Sequence, residues 1–322
     1  MKKCLVLLFV VSCSLKCMAQ PLTQYRNCID VVRSTQYGFS SAYLLTGCPQ
    51  TNEYQEVEGI DDAVNGLWER KETKGGESAY MVMSLDSRRL STLPCNFRVS
   101  ISFGHTPKAI KIDFSPWKNA DGSWKAMPAY DKKSEVYKNY TRRNGDFIVP
   151  GNKDIVAISK QLLQECDSNL LAYAYECYLY VAGNYQYLNP LTGMHPLTKI
   201  LKEGGGDCGN LSSIYISLLR AQGIPARHVQ AITVGDYHIW SEFYIKDFGW
   251  VPVDVTFKRS NPRGDFFGRY NGNWVVVQRD INQKYDVGNS WRTAILLQQV
   301  YWWFWYDTPA TLSAKQHLMK EE

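Results

Sequence analysis

Beyond its first twenty residues, the 322-residue sequence contains no long apolar run. A transmembrane helix needs roughly 18 or more consecutive apolar residues, so no membrane span is expected after the N-terminus. The sequence also lacks the Cys-x-x-Cys pairs typical of zinc sites and the Asp-x-Asp-x-Asp loop that binds calcium. It has no internal repeat. We therefore expect a globular protein that uses neither a metal nor a cofactor.

Residues 1–19 resemble a secretory signal peptide. Two lysines at 2–3 form a charged start, an apolar core covers 5–11, and small residues at the ends of 17–19 provide a cleavage site. A second interpretation is a lipobox that ends at Cys13, which would make this cysteine a lipid-anchored N-terminus. Cleavage is favoured because the apolar core before Cys13 would be short. Both interpretations predict an exported protein that is periplasmic, attached to the cell surface or secreted.

The predicted mature chain has little net charge. Three of the 36 basic residues and none of the 31 acidic residues lie in the leader, so 33 basic residues face 31 acidic ones, a net charge of +2. Proteins that bind nucleic acid usually carry a strong excess of positive charge. We therefore expect no nucleic-acid partner.

Six cysteines follow the leader, at positions 28, 48, 95, 166, 177 and 208. If one of them must remain a thiol for catalysis, the other five cannot all pair. An exported protein can form disulfides, and the pairs nearest in sequence are Cys28–Cys48 and Cys166–Cys177. Free buried cysteines are the alternative.

The pattern of apolar residues changes near residue 150. Residues 20–150 are predicted to form a β-rich accessory domain, because apolar and polar residues alternate over 97–103 and 110–114. The short loop between these two runs predicts an antiparallel hairpin. From residue 154 onwards, apolar residues recur at helical spacing in two successive runs. We therefore assign 151–322 to a second domain, which contains the chemical motifs.

Cys208 stands at the start of a predicted amphipathic helix. Apolar residues at 211, 214, 215, 218 and 219 form a single stripe, which would bury the helix in the core. Asp207 is a suitable N-cap, and Gly223 marks the end of the helix. A thiol in the first turn experiences the positive end of the helix dipole, which favours the thiolate. This is a suitable environment for a nucleophilic cysteine.

His238 and Asp254 lie on two strands that are predicted to form a hairpin. The strands are expected at 237–245 and 250–257, with a turn around Lys246. If the loop has an odd number of residues, His238 and Asp254 lie opposite each other on one face, with Cβ atoms about 5 Å apart. A loop with an even number would place them on opposite faces. The odd loop would let the carboxylate orient the imidazole as a base for the thiol.

The motifs of this region resemble the transglutaminase-like superfamily: Gly-Asp-Cys at 206–208, Leu-Leu-Arg-Ala-Gln-Gly-Ile-Pro-Ala-Arg at 218–227, Tyr-His-Ile-Trp at 237–240 and Gly-Trp-Val-Pro-Val-Asp at 249–254. The resemblance extends over about 150–280, with the core motifs in 204–257. It implies an α+β fold with a papain-like transglutaminase core, in which the cysteine helix packs on an antiparallel sheet. Ile239 is a departure, since the family commonly has alanine there.

The same resemblance implies roles for three residues. Cys208 would be the nucleophile, His238 the general base and acid, and Asp254 the group that orients the imidazole. One candidate oxyanion donor is the backbone N–H of Cys208, and the second would come from Gln186 or Tyr187.

Trp240 lies two residues after His238 and is the remaining candidate for the substrate cleft. It would either form a wall of the cleft or pack in the core.

These residues predict an exported enzyme that forms a thioester with its substrate at Cys208. Resolution by water would make it a cysteine peptidase or amidase, and resolution by an amine would make it a transglutaminase. The motifs do not distinguish the two, and we favour hydrolysis because water is always present. The expected partner is a protein or peptide substrate, for which a cell-envelope peptide is one option. A catalytically silent binding or scaffold protein is the alternative from another class.

Overall fold

The computed structural model describes residues 21–61, 67–74, 78–189, 191–288 and 290–321. The predicted signal peptide and the candidate lipid-anchored Cys13 lie outside these residues. Within the described residues, no helix is both long enough and apolar enough to cross a membrane.

The described residues form strands and helices in a mixed order. The strands are β1 (Thr23–Arg33), β2 (Phe39–Cys48), β3 (Gln55–Asp61), β4 (Trp68–Glu72), β5 (Ala79–Asp86), β6 (Asn96–Pro107), β7 (Ile110–Lys111), β8 (Gln186–Tyr187), β9 (Gly205–Gly206), β10 (Ala226–Thr233), β11 (Asp236–Ile245), β12 (Gly249–Val253), β13 (Arg269–Tyr270), β14 (Val275–Arg279), β15 (Gln283–Asp286), β16 (Trp291–Ala294), β17 (Tyr301–Tyr306) and β18 (Leu312–Lys320). The α-helices are α1 (Ser87–Thr92), α2 (Glu135–Tyr140), α3 (Lys153–Glu165), α4 (Leu170–Asn184), α5 (Leu197–Glu203), α6 (Cys208–Ala221) and α7 (Val255–Ser260), and a short 3-10 helix covers Ser115–Trp117.

Two four-stranded sheets form the β-rich part of the molecule. Their strand orders are β18-β1-β6-β3 and β17-β2-β5-β4. Ile29 and Val99 from the first sheet share one buried apolar cluster with Leu44 and Met83 from the second. Because successive side chains of a strand point to opposite faces, each sheet contributes one apolar face to this common core.

The predicted hairpin of 97–103 and 110–114 is wrong. The first run lies in β6, which pairs with β1 and β3, whereas β7 pairs with the distant strand β13. Alternation specifies which face of a strand is buried, but it does not specify the partner strand. The partners here are brought together by long connections that periodicity does not reveal.

The C-terminal strands complete both sheets of the β-rich part. Strand β17 pairs with β2, and β18 pairs with β1 along most of its length. Two strands of the predicted domain 151–322 therefore share their sheets with strands of 20–150, and the boundary near 150 stays a prediction. The physical reason is that β1 and β2 would otherwise be edge strands with unpaired backbone groups.

A third sheet, with strand order β12-β11-β10-β14, supports the cysteine helix α6. The helix packs on β10 and β11, and α3, α4 and α7 cover its other sides. All five residues of the predicted stripe are fully buried: Leu211, Ile214, Tyr215, Leu218 and Leu219. The α+β arrangement of a cysteine helix on an antiparallel sheet is thus confirmed.

All six cysteines of the described residues are free thiols. Of the two alternatives left open by the sequence, free cysteines are therefore the one observed, and neither Cys28–Cys48 nor Cys166–Cys177 is a disulfide. Cys166 caps the end of α3, whereas Cys177 is fully buried in α4. Proximity in sequence does not bring two sulfur atoms together when each side chain is fixed by its own element.

Candidate functional site

Cys208 is the first residue of α6 and is only 6% exposed. Asp207 caps the helix, and its Oδ1 accepts a hydrogen bond of 3.0 Å from the N–H of Asn210. The predicted N-cap is therefore confirmed. The thiol lies at the positive end of a buried 14-residue helix, where the dipole favours a negative charge.

The glycines before Cys208 are required by close packing. Strand β9, formed by Gly205 and Gly206, pairs in parallel with β8. A Cβ on Gly205 would lie 2.0 Å from the carbonyl oxygen of Gln186, and one on Gly206 would lie 2.5 Å from the Cβ of Asn210. No side chain fits at either position without moving the backbone beside the thiol.

His238 is bound to Asp254 in the structure. The distance from His238 Nε2 to Asp254 Oδ2 is 2.6 Å, and both side chains are almost fully buried. The loop between β11 and β12 has three residues, since Ile245 pairs with Gly249. The loop therefore has the odd number of residues that a shared face requires, a point that the sequence left open. The register is shifted by two residues from the predicted one, so the pair is diagonal rather than directly opposed.

Asp254 also caps a helix. Its Oδ1 accepts a hydrogen bond of 2.9 Å from the N–H of Phe257, and α7 begins at Val255. The predicted strand 250–257 is therefore too long at its end. Because the cap fixes the carboxylate, the second oxygen is held in position for His238.

The electrostatic setting of His238 favours the imidazolium. Burial alone lowers the pKa of His238, but the adjacent Asp254 carboxylate and the Cys208 side chain raise it, with a net value of about 10. The bond from Nε2 to Asp254 leaves Nδ1 as the nitrogen available to the thiol. A protonated imidazole beside Cys208 is suited to stabilise a thiolate.

Aromatic rings hold the imidazole in place. The ring of Phe257 stacks on His238 with centroids 4.7 Å apart and an interplanar angle of 10°. Trp274 and Trp240 contact the same ring at 5.3 Å and 6.0 Å. Trp240 is only 2% exposed and also stacks on Tyr270. Trp240 therefore packs in the core, and it also lines a small cavity together with His238 and Asp254.

A cavity of about 220 Å³ opens at Cys208. The lining includes Gly193 and Met194, from the segment before α5, and Ile239 of β11. It also includes residues of a C-terminal segment within 295–301. The cavity is therefore lined partly by residues far outside the predicted core motifs.

Gln186 and Tyr187 form β8, which pairs with β9 just before Cys208, but neither is among the described residues that line the cavity. The side-chain oxygen of Gln186 accepts a hydrogen bond of 3.2 Å from Arg259 and is therefore already engaged. The hydroxyl of Tyr187 is free of such a bond within the described residues. Partial burial, with smaller contributions from the nearby Cys208 and Asp207, raises the pKa of Tyr187 to about 12. The phenol thus stays protonated as a hydrogen-bond donor near the thiol, and an oxyanion role for it remains a prediction.

Asn210 is a functional candidate that the sequence reasoning missed. Its Nδ2 donates to the carbonyl oxygens of Leu191 and Gly193 at 3.1 Å and 2.8 Å, and its Oδ1 accepts from the N–H of His195 at 3.0 Å. The N–H of Gly193 also donates a hydrogen bond of 2.8 Å to Asp207 Oδ2. The start of α6 therefore fixes the loop that forms one side of the cavity.

His228 lies behind the cysteine helix rather than in the cavity. It is fully buried, with Nε2 3.2 Å from the carbonyl oxygen of Gly209 and 3.2 Å from Ser213 Oγ. Burial lowers the pKa of His228 to about 3, so the ring is neutral. It supports the first turn of α6 as a hydrogen-bond donor.

No group of three or more metal-binding side chains occurs within the described residues.

Comparison with known families matches residues 156–255 to the model of the transglutaminase-like superfamily. An uncharacterised protein of Haemophilus influenzae is 30% identical over 120 residues, which cover 24% of this chain and 32% of that protein. The uncharacterised protein YebA of Bacillus subtilis is 36% identical over 75 residues, 18% of this chain and 10% of its own length. The chain thus spans about a third and a tenth of these curated relatives.

A solved structure from Cytophaga hutchinsonii covers almost the whole chain. It is described as a candidate cysteine protease and aligns with 95% of this chain and 93% of its own, with a TM-score of 0.57 and 13% identity. At this identity, the similarity shows that the fold is shared.

Proposed function

We propose that this chain, whose residues 156–255 form a domain of the transglutaminase-like superfamily, is an exported thiol-dependent amide hydrolase. The observation that carries the proposal is the pairing of His238 Nε2 with Asp254 Oδ2 at 2.6 Å, next to Cys208 at a helix N-terminus. A buried base with a fixed carboxylate partner and an adjacent thiol is the arrangement needed to activate a cysteine nucleophile.

The first step of the proposed reaction transfers the acyl group to the enzyme. The Cys208 thiolate attacks the carbonyl carbon of the amide and forms a C–S bond. The His238 imidazolium donates its proton to the amide nitrogen, the C–N bond breaks, and the amine leaves. The backbone N–H of Cys208 and the hydroxyl of Tyr187 are our candidate donors to the oxyanion.

The second step resolves the thioester. Neutral His238 accepts a proton from water, and the water oxygen attacks the thioester carbonyl. The C–S bond breaks and releases a carboxylic acid, which leaves the thiolate and the imidazolium as at the start. Asp254 stabilises the imidazolium at both stages and does not itself take the proton.

The lining of the cavity favours water over an amine as the acceptor. Asp207 is the one carboxylate among the described lining residues, and its two oxygens already accept hydrogen bonds from Asn210 and Gly193. A protonated lysine would therefore find no free carboxylate beside Cys208. This supports hydrolysis, with transamidation as the outcome to be tested against it.

Export is part of the proposal and rests on residues 1–19. The substrate would be a protein or peptide in the periplasm, at the cell surface or outside the cell, and a cell-envelope peptide is one such substrate. Lipid attachment at Cys13 would place the enzyme on a membrane surface.

The test is the rate of alkylation of Cys208 by iodoacetamide between pH 5.5 and 9. At the low end of this range, a free thiol with a pKa of about 8.5 is almost wholly protonated. We expect fast alkylation to persist there, and to be lost in His238→Ala. Cys208→Ala gives the background from the other five cysteines of the described residues. A rate that follows an ordinary thiol and ignores His238 would contradict the proposal and favour a silent binding or scaffold protein.

Products distinguish the two acyl acceptors. A mixture of peptides is incubated with the enzyme, with and without a primary alkylamine, and the products are identified by mass spectrometry. Hydrolysis gives free carboxylic acids in both samples and none with Cys208→Ala. Products that carry the amine and replace most of the acid would identify a transglutaminase instead.

A further inference from the structure

Part of the wall of the Cys208 cavity lies outside the residues that match the transglutaminase-like superfamily. The family match ends at residue 255, whereas Ile295, Leu296, Gln298, Gln299 and Tyr301 line the cavity. The first four lie between β16 and β17, and Tyr301 begins β17. We call 295–301 the C-terminal wall, and its position does not follow from the family motifs.

Glutamine side chains attach the C-terminal wall to the strand that carries the base. Gln298 Nε2 donates to the carbonyl oxygens of Ala231 and His238 at 2.8 Å and 2.6 Å. These two residues are paired across β10 and β11. The N–H of Leu297 donates to Gln230 Oε1 at 2.9 Å. The wall is therefore fixed relative to His238 by neutral, buried hydrogen bonds.

Most of the side chains that line the cavity are apolar or uncharged. They include Met194 and Ile239, together with Ile295 and Leu296 of the C-terminal wall. The described lining contains no lysine or arginine, and the nearby His238 imidazolium is already paired with Asp254 and Cys208. A substrate carboxylate in this cavity would therefore lose its hydration without a free cation to replace it.

We propose that the C-terminal wall selects the substrate, and that the cavity accepts an uncharged, predominantly apolar side chain next to the amide bond that is cleaved. This inference rests on the proposed hydrolysis at Cys208 and names its substrate class. Apolar surface of the substrate side chain is buried against Ile295 and Leu296, whereas an acidic side chain is rejected because its desolvation is not compensated.

The test uses peptides that differ at one position, with leucine, glutamine or glutamate next to the cleaved bond. For the unmodified enzyme we expect kcat/KM for the leucine peptide to exceed that for the glutamate peptide by at least about tenfold, as for other hydrophobic pockets. Leu296→Arg adds a cation to the wall and should shift the ratio by about tenfold or more towards glutamate. Gln299→Arg, at an exposed position of the same wall, should shift it in the same direction if Leu296→Arg does not fold.

Matched controls separate charge from position. Val32→Arg adds the same charge at an exposed site on β1 and should leave the leucine-to-glutamate ratio unchanged. Leu296→Met keeps the wall apolar and should keep the preference. Gln298→Ala removes the hydrogen bonds to Ala231 of β10 and His238 of β11. We expect the leucine-to-glutamate ratio to fall towards one, because the C-terminal wall is no longer held against the cavity.

The outcomes distinguish this inference from the proposed function. Equal cleavage of all peptides, with no change in Leu296→Arg and Gln299→Arg, would overturn the inference while hydrolysis stands. Slow alkylation of Cys208 together with no cleavage of any peptide would overturn the proposed function itself. A glutamate preference in the unmodified enzyme would overturn the assigned substrate class.

Discussion

Asp254 serves two purposes at the scale of one residue. One carboxylate oxygen caps α7 through the N–H of Phe257, and the other binds His238. Asparagine is as good an N-cap as aspartate, but it carries no charge. The two functions can therefore be separated by substitution.

We predict that Asp254→Asn keeps α7 but lowers kcat/KM by at least about 100-fold, because His238 loses the charged partner that orients and stabilises its imidazolium. Asp254→Ala should lose the same activity and an additional 1 kcal/mol or so of stability, because the cap is lost too. Peptide hydrolysis and urea unfolding of both variants check this. If Asp254→Asn retained activity close to that of the unmodified enzyme, Asp254 would be only a structural cap.

At the scale of an element, the first turn of α6 organises the cleft. Asp207 and Asn210 are three residues apart, and together they hold the loop from Leu191 to His195. The stability of the first turn of α6 and the position of this loop, which lines the cavity, thus depend on the same side chains.

We predict that Asp207→Ala lowers the free energy of unfolding by about 1 kcal/mol and slows alkylation of Cys208 at low pH. The loss of the cap frays the turn that carries the thiol, and the loop is released. Asn152→Ala is the matched control, since Asn152 caps α3 in the same manner away from the cavity. It should cost similar stability in urea unfolding but leave the alkylation rate unchanged. Equal alkylation in both variants would contradict this role of Asp207.

At the scale of the whole molecule, buried histidines of opposite behaviour determine the pH range of stability. Burial lowers the pKa of His228 to about 3 and that of His105 to about 4. The pKa of His238 is instead raised to about 10, because Asp254 and Cys208 outweigh burial. An unfolded histidine has a pKa of about 6.5.

We predict a maximum of stability near pH 6.5. Below this pH the unfolded chain binds protons that native His228 and His105 do not, so stability falls as the pH decreases, by up to about 1.4 kcal/mol per pH unit for each histidine. Above it, native His238 retains a proton that the unfolded chain has lost, so its contribution disappears as the pH rises towards 10. Urea unfolding below pH 6.5 checks the predicted decrease in stability. The measurement uses Cys208→Ala, which has no nucleophile for self-cleavage, with and without the additional change His228→Gln. In a His238→Ala background the alkaline decline should be reduced, and an unchanged profile would contradict the assignment.

Features whose partners are close along the chain could be predicted from the sequence. The apolar stripe of α6 and the cap at Asp207 follow from local periodicity and residue type, and the α+β core was implied by the resemblance of the motifs. The sequence named His238 and Asp254 as partners, but it left open the parity of the loop after Ile245, and the register differs from the predicted one by two residues.

Contacts between distant segments became known only from the folded chain. The pairing of β1 with β18 and of β2 with β17, the free thiols, and the placement of 295–301 against the cavity have no local signal. An alternating strand fits any neighbour that buries its apolar face. The choice of neighbouring strand therefore depends on how the whole chain packs, and so does the position of the C-terminal wall of the cavity.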